Sequence, residues 1–264
     1  MNRITKTIQE AQKNNKKVFI PFITAGYPTR ESMIDILNAL SEGGADIIEI
    51  GIPFSDPIAD GPVIQSSSHT ALENGVTLPW ILKTVKNARK NLSVPLIFFT
   101  YLNPIIKYGV ERFFKDAKTC EIDGILIPDL PPEESGEIKK LAAVYGLSTI
   151  FLISPATVNK RMKMIEKLSD DFVYCISVTG TTGTREKLAQ NIEPYLSRVR
   201  SQLKKPYVVG FGVSAAEDVK KISKYSDGVV VGSALIKMIE KYKNSGNLPE
   251  RIKKYIQTLI KPLQ

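Results

Sequence analysis

The chain has 264 residues, 43% hydrophobic and 24% charged, with a formal net charge of +9. This composition leaves out a low-complexity or disordered chain, and no apolar run reaches the roughly 20 residues that span a bilayer. One histidine and two cysteines leave out a multi-histidine zinc site and a disulfide framework. The excess positive charge is scattered over predicted helix surfaces, as at Lys83, Lys86, Lys139, Lys140, Lys220, Lys221, Lys253 and Lys254. Without a dense arginine run it reads as a solvated surface rather than a nucleic-acid footprint. Cys120 and Cys175 have no metal-ligand spacing and read as reduced and buried.

Residues 1–17 mix charges and have no apolar signal core, so they read as an amphipathic first helix. With nothing marking export, the expected location is cytoplasmic, or the plastid stroma if the gene is plastid-encoded. Eight short apolar segments then alternate with longer helical patterns, without a linker-like break: 18–24, 46–51, 95–101, 124–128, 148–153, 172–178, 207–212 and 228–232. The alternation predicts an α/β protein, a single (β/α)8 TIM barrel over residues 1–264 with an extra N-terminal helix. Three segments share an opening, Gly44-Ala45-Asp46, Ile122-Asp123-Gly124 and Ser226-Asp227-Gly228. This weak repeat of helix, Asp turn and strand falls at the end where a barrel keeps its stabilising loops.

The second segment carries the chemistry. Ile47, Ile48, Ile50 and Ile52 make it apolar on both faces, as a barrel strand requires, and Glu49 interrupts the run. A carboxyl placed there is desolvated, which raises its pKa towards a range where it donates a proton near neutral pH. Asp60 follows on a Pro- and Gly-punctuated loop at the strand's C-terminal end, where it can face the same pocket. Two carboxyls in different surroundings can take different proton roles. The alternative reading keeps Glu49 as half of a buried ion pair and Asp60 as a turn cap. His69, just beyond, reads as a helix-surface residue, since no G-x-S-x-G elbow supports a triad built on it.

The segment ends collect polar and small residues, among them Thr24, Tyr101-Leu102-Asn103, Pro128-Asp129, Ser154-Pro155 and Val178-Thr179-Gly180. After the seventh segment, Gly210-Phe211-Gly212 precedes Ser214 and Glu217, which read as a capping box. Gly232-Ser233-Ala234 follows the eighth, and 179–184 adds further amides and hydroxyls after the sixth. Helix N-termini and glycine backbone at the seventh and eighth strands favour a phosphate dianion.

Taken together, these residues resemble the α subunit of tryptophan synthase. The resemblance spans nearly the whole chain: Pro21-Phe22-Ile23-Thr24-Ala25-Gly26-Tyr27-Pro28, the run from Glu49 through Pro53-Phe54-Ser55-Asp56-Pro57-Ile58-Ala59-Asp60 to Pro62, Tyr101-Leu102-Asn103-Pro104, Pro128-Asp129-Leu130-Pro131, Ser177 through Gly183, Gly210-Phe211-Gly212 and Gly232-Ser233-Ala234. The carboxylate motif is specific, whereas the phosphate motif is shared by many barrels. What the resemblance implies is retro-aldol cleavage of indole-3-glycerol phosphate to indole and glyceraldehyde 3-phosphate. Glu49 would be the acid at indole C3, and Asp60 would face the indole nitrogen. By the same analogy Phe22, Phe99, Leu126, Tyr174 and Phe211 would form the indole pocket. Main-chain groups of Gly183, Gly212 and Ser233, with Gly232 beside them, would hold the phosphate end, and Thr182 would be a further substrate-binding residue.

The resemblance further implies no cofactor in this chain, pyridoxal phosphate in a β subunit, and an α2β2 assembly with no metal. Residues 53–60 and 179–187 would be closing loops, and Pro53, Phe54, Pro57 and Ile58 would present an apolar surface to the partner, the alternative being that Phe54 folds back onto the barrel. Competing readings are another phosphate-binding barrel enzyme, a stand-alone indole-forming lyase, and a mainly regulatory binding subunit.

Overall fold

In the computed structural model, which describes residues 2–176, 185–210 and 212–263, the apolar segments pair edge to edge as parallel strands. They are β1 (Val18–Thr24), β2 (Ile48–Gly51), β3 (Leu96–Phe99), β4 (Gly124–Leu126), β5 (Ser148–Ile150), β6 (Leu152–Ile153), β7 (Val173–Ile176), β8 (Tyr207–Gly210) and β9 (Gly228–Val231). The pairing order is β5-β4-β3-β2-β1-β9-β8-β7-β6. Nine strands appear where eight were expected because segment 148–153 is interrupted at Phe151. Its first half pairs with β4 and its second with β7, so one segment supplies both edges and closes the barrel. At the break the Phe151 N–H donates to the Ser169 hydroxyl at 3.3 Å, and its carbonyl accepts from the Tyr174 N–H at 3.0 Å.

Strands covered on both faces read as continuous apolar runs, and β1, β2, β3, β8 and β9 are buried at every position. The first helix, Arg3–Lys13, buries Ile4 and Ile8. Asn2 caps it by accepting from the Ile4 N–H at 2.9 Å.

The Asp turns form a built rim. Asp46, Asp123 and Asp227 each exchange two hydrogen bonds with the start of the preceding strand in the barrel. Their carboxylates accept from the N–H of Phe19 (2.7 Å), Leu96 (2.8 Å) and Tyr207 (3.1 Å). Their own N–H groups donate back to the carbonyls of those residues at 3.0, 2.9 and 2.9 Å. Asp170 does the same with Thr149, at 2.7 and 2.9 Å, although its sequence lacks the repeated opening. The side chain thus adds a rung below each ladder, satisfying an amide that would otherwise be buried without a partner. In the three repeats the acceptor sits just ahead of the strand, two residues before β2 and one before β4 and β9, which is why the repeat is legible in sequence. At Asp123 the rim is also ionic: Arg3 Nε lies at 2.6 Å and the almost fully buried Arg89 at 2.7 Å. With this end sealed, the opposite, C-terminal strand ends are left to form a pocket.

Candidate active site

Glu49 projects from β2 beside Phe22 of β1, its register partner. Both line a cavity at the C-terminal strand ends together with Asp60, Phe99, Tyr174, Gly212, Gly232 and Ser233. The Phe22 and Phe99 rings meet edge to face, 5.7 Å between centroids. Tyr174 lies over β8: a Cβ on Gly210 would fall 2.1 Å from the Tyr174 hydroxyl, so only glycine fits there. Gly212 has φ of +79°, a left-handed turn that carries the chain from β8 across the cavity mouth.

The two carboxyls differ in their surroundings. Burial, reinforced by the nearby Asp60 charge, pushes Glu49 up to about 8, and no hydrogen bond from the described residues opposes it. Burial also raises Asp60, but only to about 6, because the Tyr101 hydroxyl donates to its carboxylate at 2.8 Å. Near neutral pH the cavity therefore holds one protonated and one ionised carboxyl, the pairing that separates an acid from a charge stabiliser.

At the other side of the cavity the two helix starts are unequal. The helix Ala216–Ser223 carries a carboxylate across its start: one Asp218 oxygen accepts from Ser214 N–H (2.9 Å), the Ser214 hydroxyl (2.9 Å) and Ala215 N–H (3.0 Å), the residues just before the helix. Glu217 is exposed, so the capping partner is Asp218 rather than the expected Glu217, because the helix begins one residue later than the sequence pattern suggests. The helix Ser233–Tyr242 opens at Gly232 with no side-chain cap, leaving amides that face the cavity mouth. Its positive end is the one open to an anion.

A family model described as tryptophan synthase alpha chain matches residues 8–262. The tryptophan synthase alpha chain of Thermoanaerobacter sp. is 44% identical over 259 residues, 98% of each chain. That of Geotalea daltonii is 46% identical over 242 residues, 92% of each. The chain belongs to the tryptophan synthase alpha chain family. The crystal structure of the alpha subunit from Legionella pneumophila superimposes with a TM-score of 0.90 at 34% identity, covering 100% of this chain and 98% of that one. As a tryptophan synthase alpha chain it is a lyase of tryptophan biosynthesis that cleaves indole-3-glycerol phosphate to indole and glyceraldehyde 3-phosphate.

Against the residues expected for an alpha chain site, the cavity gathers Phe22, Glu49, Asp60, Phe99, Tyr174, Gly212, Gly232 and Ser233. Leu126 is fully buried between its register partners Phe99 and Ile150, the first of which lines the cavity. Thr182, Gly183 and Phe211 lie outside the described residues. The lining also takes in Ile64, Val213, Ser214, Val230 and Ala234. Ile64 had a usable signal, an apolar residue in the first turn of the helix Pro62–Glu73 that follows the Asp60 loop. Val230 had none, being one valine in an all-apolar strand.

The loop surface differs from the expectation. Pro53 is buried, and the Phe54 ring folds back onto Tyr101 with centroids 5.2 Å apart, leaving Ile58 as the exposed apolar residue. The cause is non-local: Tyr101 arrives from the end of β3 and offers an aromatic face. His69 is exposed and lies 3.2 Å from Glu73 on its own helix, away from any proton role. Among the described residues no cluster of His, Cys, Asp and Glu could hold a metal ion, and no helix is long and apolar enough to cross a membrane.

Proposed function

We propose that Glu49 is the proton donor at indole C3 and Asp60 the carboxylate that steadies the indole nitrogen, within a single catalytic domain spanning residues 1–264. The observation that carries this reading is the difference between two buried carboxyls in one cavity, at about 8 and about 6. Glu49, protonated at neutral pH, gives its proton to C3, and the ring becomes an iminium whose N–H faces ionised Asp60. The Glu49 carboxylate then takes the proton of the glycerol hydroxyl next to the scissile bond. The carbon–carbon bond breaks, its electron pair returns to the ring, and indole and the aldehyde leave with Glu49 again protonated.

Phe22, Phe99, Leu126, Tyr174 and Phe211 are proposed as the apolar surroundings of the indole. Thr182, Gly183, Gly212, Gly232 and Ser233 are proposed for the phosphate end, with the uncapped Ser233 helix start as the electrostatic support. The family's alpha chain works with a beta chain. We place this chain in an α2β2 assembly in the cytoplasm, with pyridoxal phosphate confined to the β subunit.

The test gives purified chain, alone and with a tryptophan synthase β subunit, indole-3-glycerol phosphate while indole and triose phosphate are followed. Cleavage that Glu49→Gln and Asp60→Asn each reduce supports the assignment. Full turnover in either variant removes that residue from its role.

A further inference from the structure

Tyr101 makes more contacts with the Asp60 loop than its place as a strand-end residue required. Its hydroxyl donates to the Asp60 carboxylate at 2.8 Å and accepts from the Ala59 N–H at 3.1 Å, so the phenol oxygen is used in both directions. Its ring packs against Phe54 at the other end of the same loop. The backbone that carries it is itself held, because the Asp129 carboxylate accepts from the Leu102 N–H at 3.0 and 3.3 Å and so caps the helix Leu102–Tyr108 immediately after Tyr101. Asp60, by contrast, stands on a loop with no secondary structure between Ser55 and Gly61. From its surroundings alone a desolvated carboxyl on such a loop would drift in position and towards the neutral form.

We infer that Tyr101 is a positioning residue for the lyase reaction, holding Asp60 ionised and aimed at the indole nitrogen through a bridge from the third strand's loop to the second's. The inference rests on the reading of Asp60 as the nitrogen-facing carboxylate and adds what fixes it there. Burial, with the Asp60 charge next, holds the Tyr101 phenol protonated well above its ordinary range, so it stays a donor throughout the working pH. A donor of this kind favours the ionised acceptor, which is why Asp60 rises less than Glu49. The titratable groups facing Asp60 among the described residues are Glu49 on β2, Tyr101, and Tyr174 on β7. Both other groups are neutral below about 8, which leaves Tyr101 as the group that opposes burial and favours the ionised Asp60.

Tyr101→Phe keeps the ring on Phe54 and removes only the hydroxyl. Its expected effects are a fall in kcat of about tenfold, the usual scale for a lost hydrogen bond to a charged group, and an acidic limb of kcat/KM that moves up by about one pH unit. Glycerol phosphate affinity stays unchanged. In an Asp60→Asn background the same substitution should cost nothing further, since Tyr101 acts through Asp60. Phe54→Leu, which loosens the loop but leaves the hydroxyl, should leave the acidic limb in place. An unmoved limb in Tyr101→Phe, or an equal loss of kcat in both backgrounds, overturns the inference. Wild-type turnover in Asp60→Asn alone would instead overturn the role of Asp60 on which it rests.

Discussion

Phe22 and Glu49 are register partners on β1 and β2, so the Glu49 carboxyl leaves the sheet beside an aromatic ring. The pairing is set by backbone register, and it makes the carboxyl's protonation a property of the fold. Glu49→Gln keeps the shape of the side chain and removes its proton. Positioned acids contribute roughly 10² to 10⁴ in rate, so kcat should fall at least 10²-fold while glycerol phosphate still binds. Steady-state kinetics alongside isothermal titration would show it, and near-wild-type turnover would take the role from Glu49.

The same burial makes a stability prediction with a definite sign. The folded pKa of Glu49, about 8, lies above the unfolded value of 4.5. The native state therefore holds the proton more tightly, and its stability is fully present below about 4.5 and lost as pH rises through 8. Glu49→Gln should melt with the wild type at low pH and above it at high pH. The gap should open between those values and reach the order of a few kcal/mol. Parallel melting curves across pH, with no widening gap, would contradict it.

Activity should be bell-shaped in pH. The acidic limb of kcat/KM belongs to ionisation of the pair near 6 and the alkaline limb to its second ionisation near 8, where the general acid is spent. Both groups are raised, so the whole bell lies above the range of ordinary carboxylates. A profile that is flat from pH 5 to 9 would mean that chemistry is not governed by these two groups.

How far the sequence disclosed this site depends on whether the signal was local. Glu49 was legible because a charged residue inside Ile47-Ile48-Glu49-Ile50 contradicts its neighbours. The rim was legible at Asp46, Asp123 and Asp227 because each acceptor sits in a small-residue turn one or two residues before its strand, whereas Asp170, three residues before β7, performs the same bridge without the motif. What was hidden depends on partners far along the chain. The interruption at Phe151 is fixed by Ser169 and Tyr174, and the inward fold of Phe54 by Tyr101, 47 positions away. The offset from Glu217 to Asp218 is a one-residue difference in where a helix starts, which pattern alone does not resolve.

The rim predicts a loss of stability without loss of chemistry. Asp123 accepts from Arg89, whose side chain is 3% exposed, and from Arg3 and the Leu96 N–H. Burial already lowers Arg89 to about 10. Asp123→Ala would leave that guanidinium buried without its carboxylate, held only by the carbonyls of Leu92, Val94 and Glu121, at a cost of about 3 kcal/mol and a melting point lower by about 10 °C. Since the rim and the cavity occupy opposite ends of the strands, kcat below the transition should stay at the wild-type level. A variant that melts normally would mean that water reaches Arg89 in solution.

The last prediction concerns the partner. Ile58, 79% exposed on the loop after β2, and Ile106, 59% exposed on the helix after β3, stand on the side of the barrel that carries the cavity mouth. With Pro53 buried and Phe54 turned inward, these two are the large exposed apolar residues on those segments, and they suit a surface covered by the β subunit. Covering Ile58 would hold the loop that carries Asp60, so adding β subunit should raise the lyase rate. If the β subunit also tightens glycerol phosphate in the cavity, reciprocity of binding requires glycerol phosphate to tighten the α–β complex by that same affinity factor. Ile58→Asp should weaken complex formation, followed by light scattering, and should leave the rate of the isolated chain unchanged because the side chain points away from the cavity. A complex formed equally well by Ile58→Asp, or a bound ligand without effect on assembly, would show that the contact with the β subunit lies on another face.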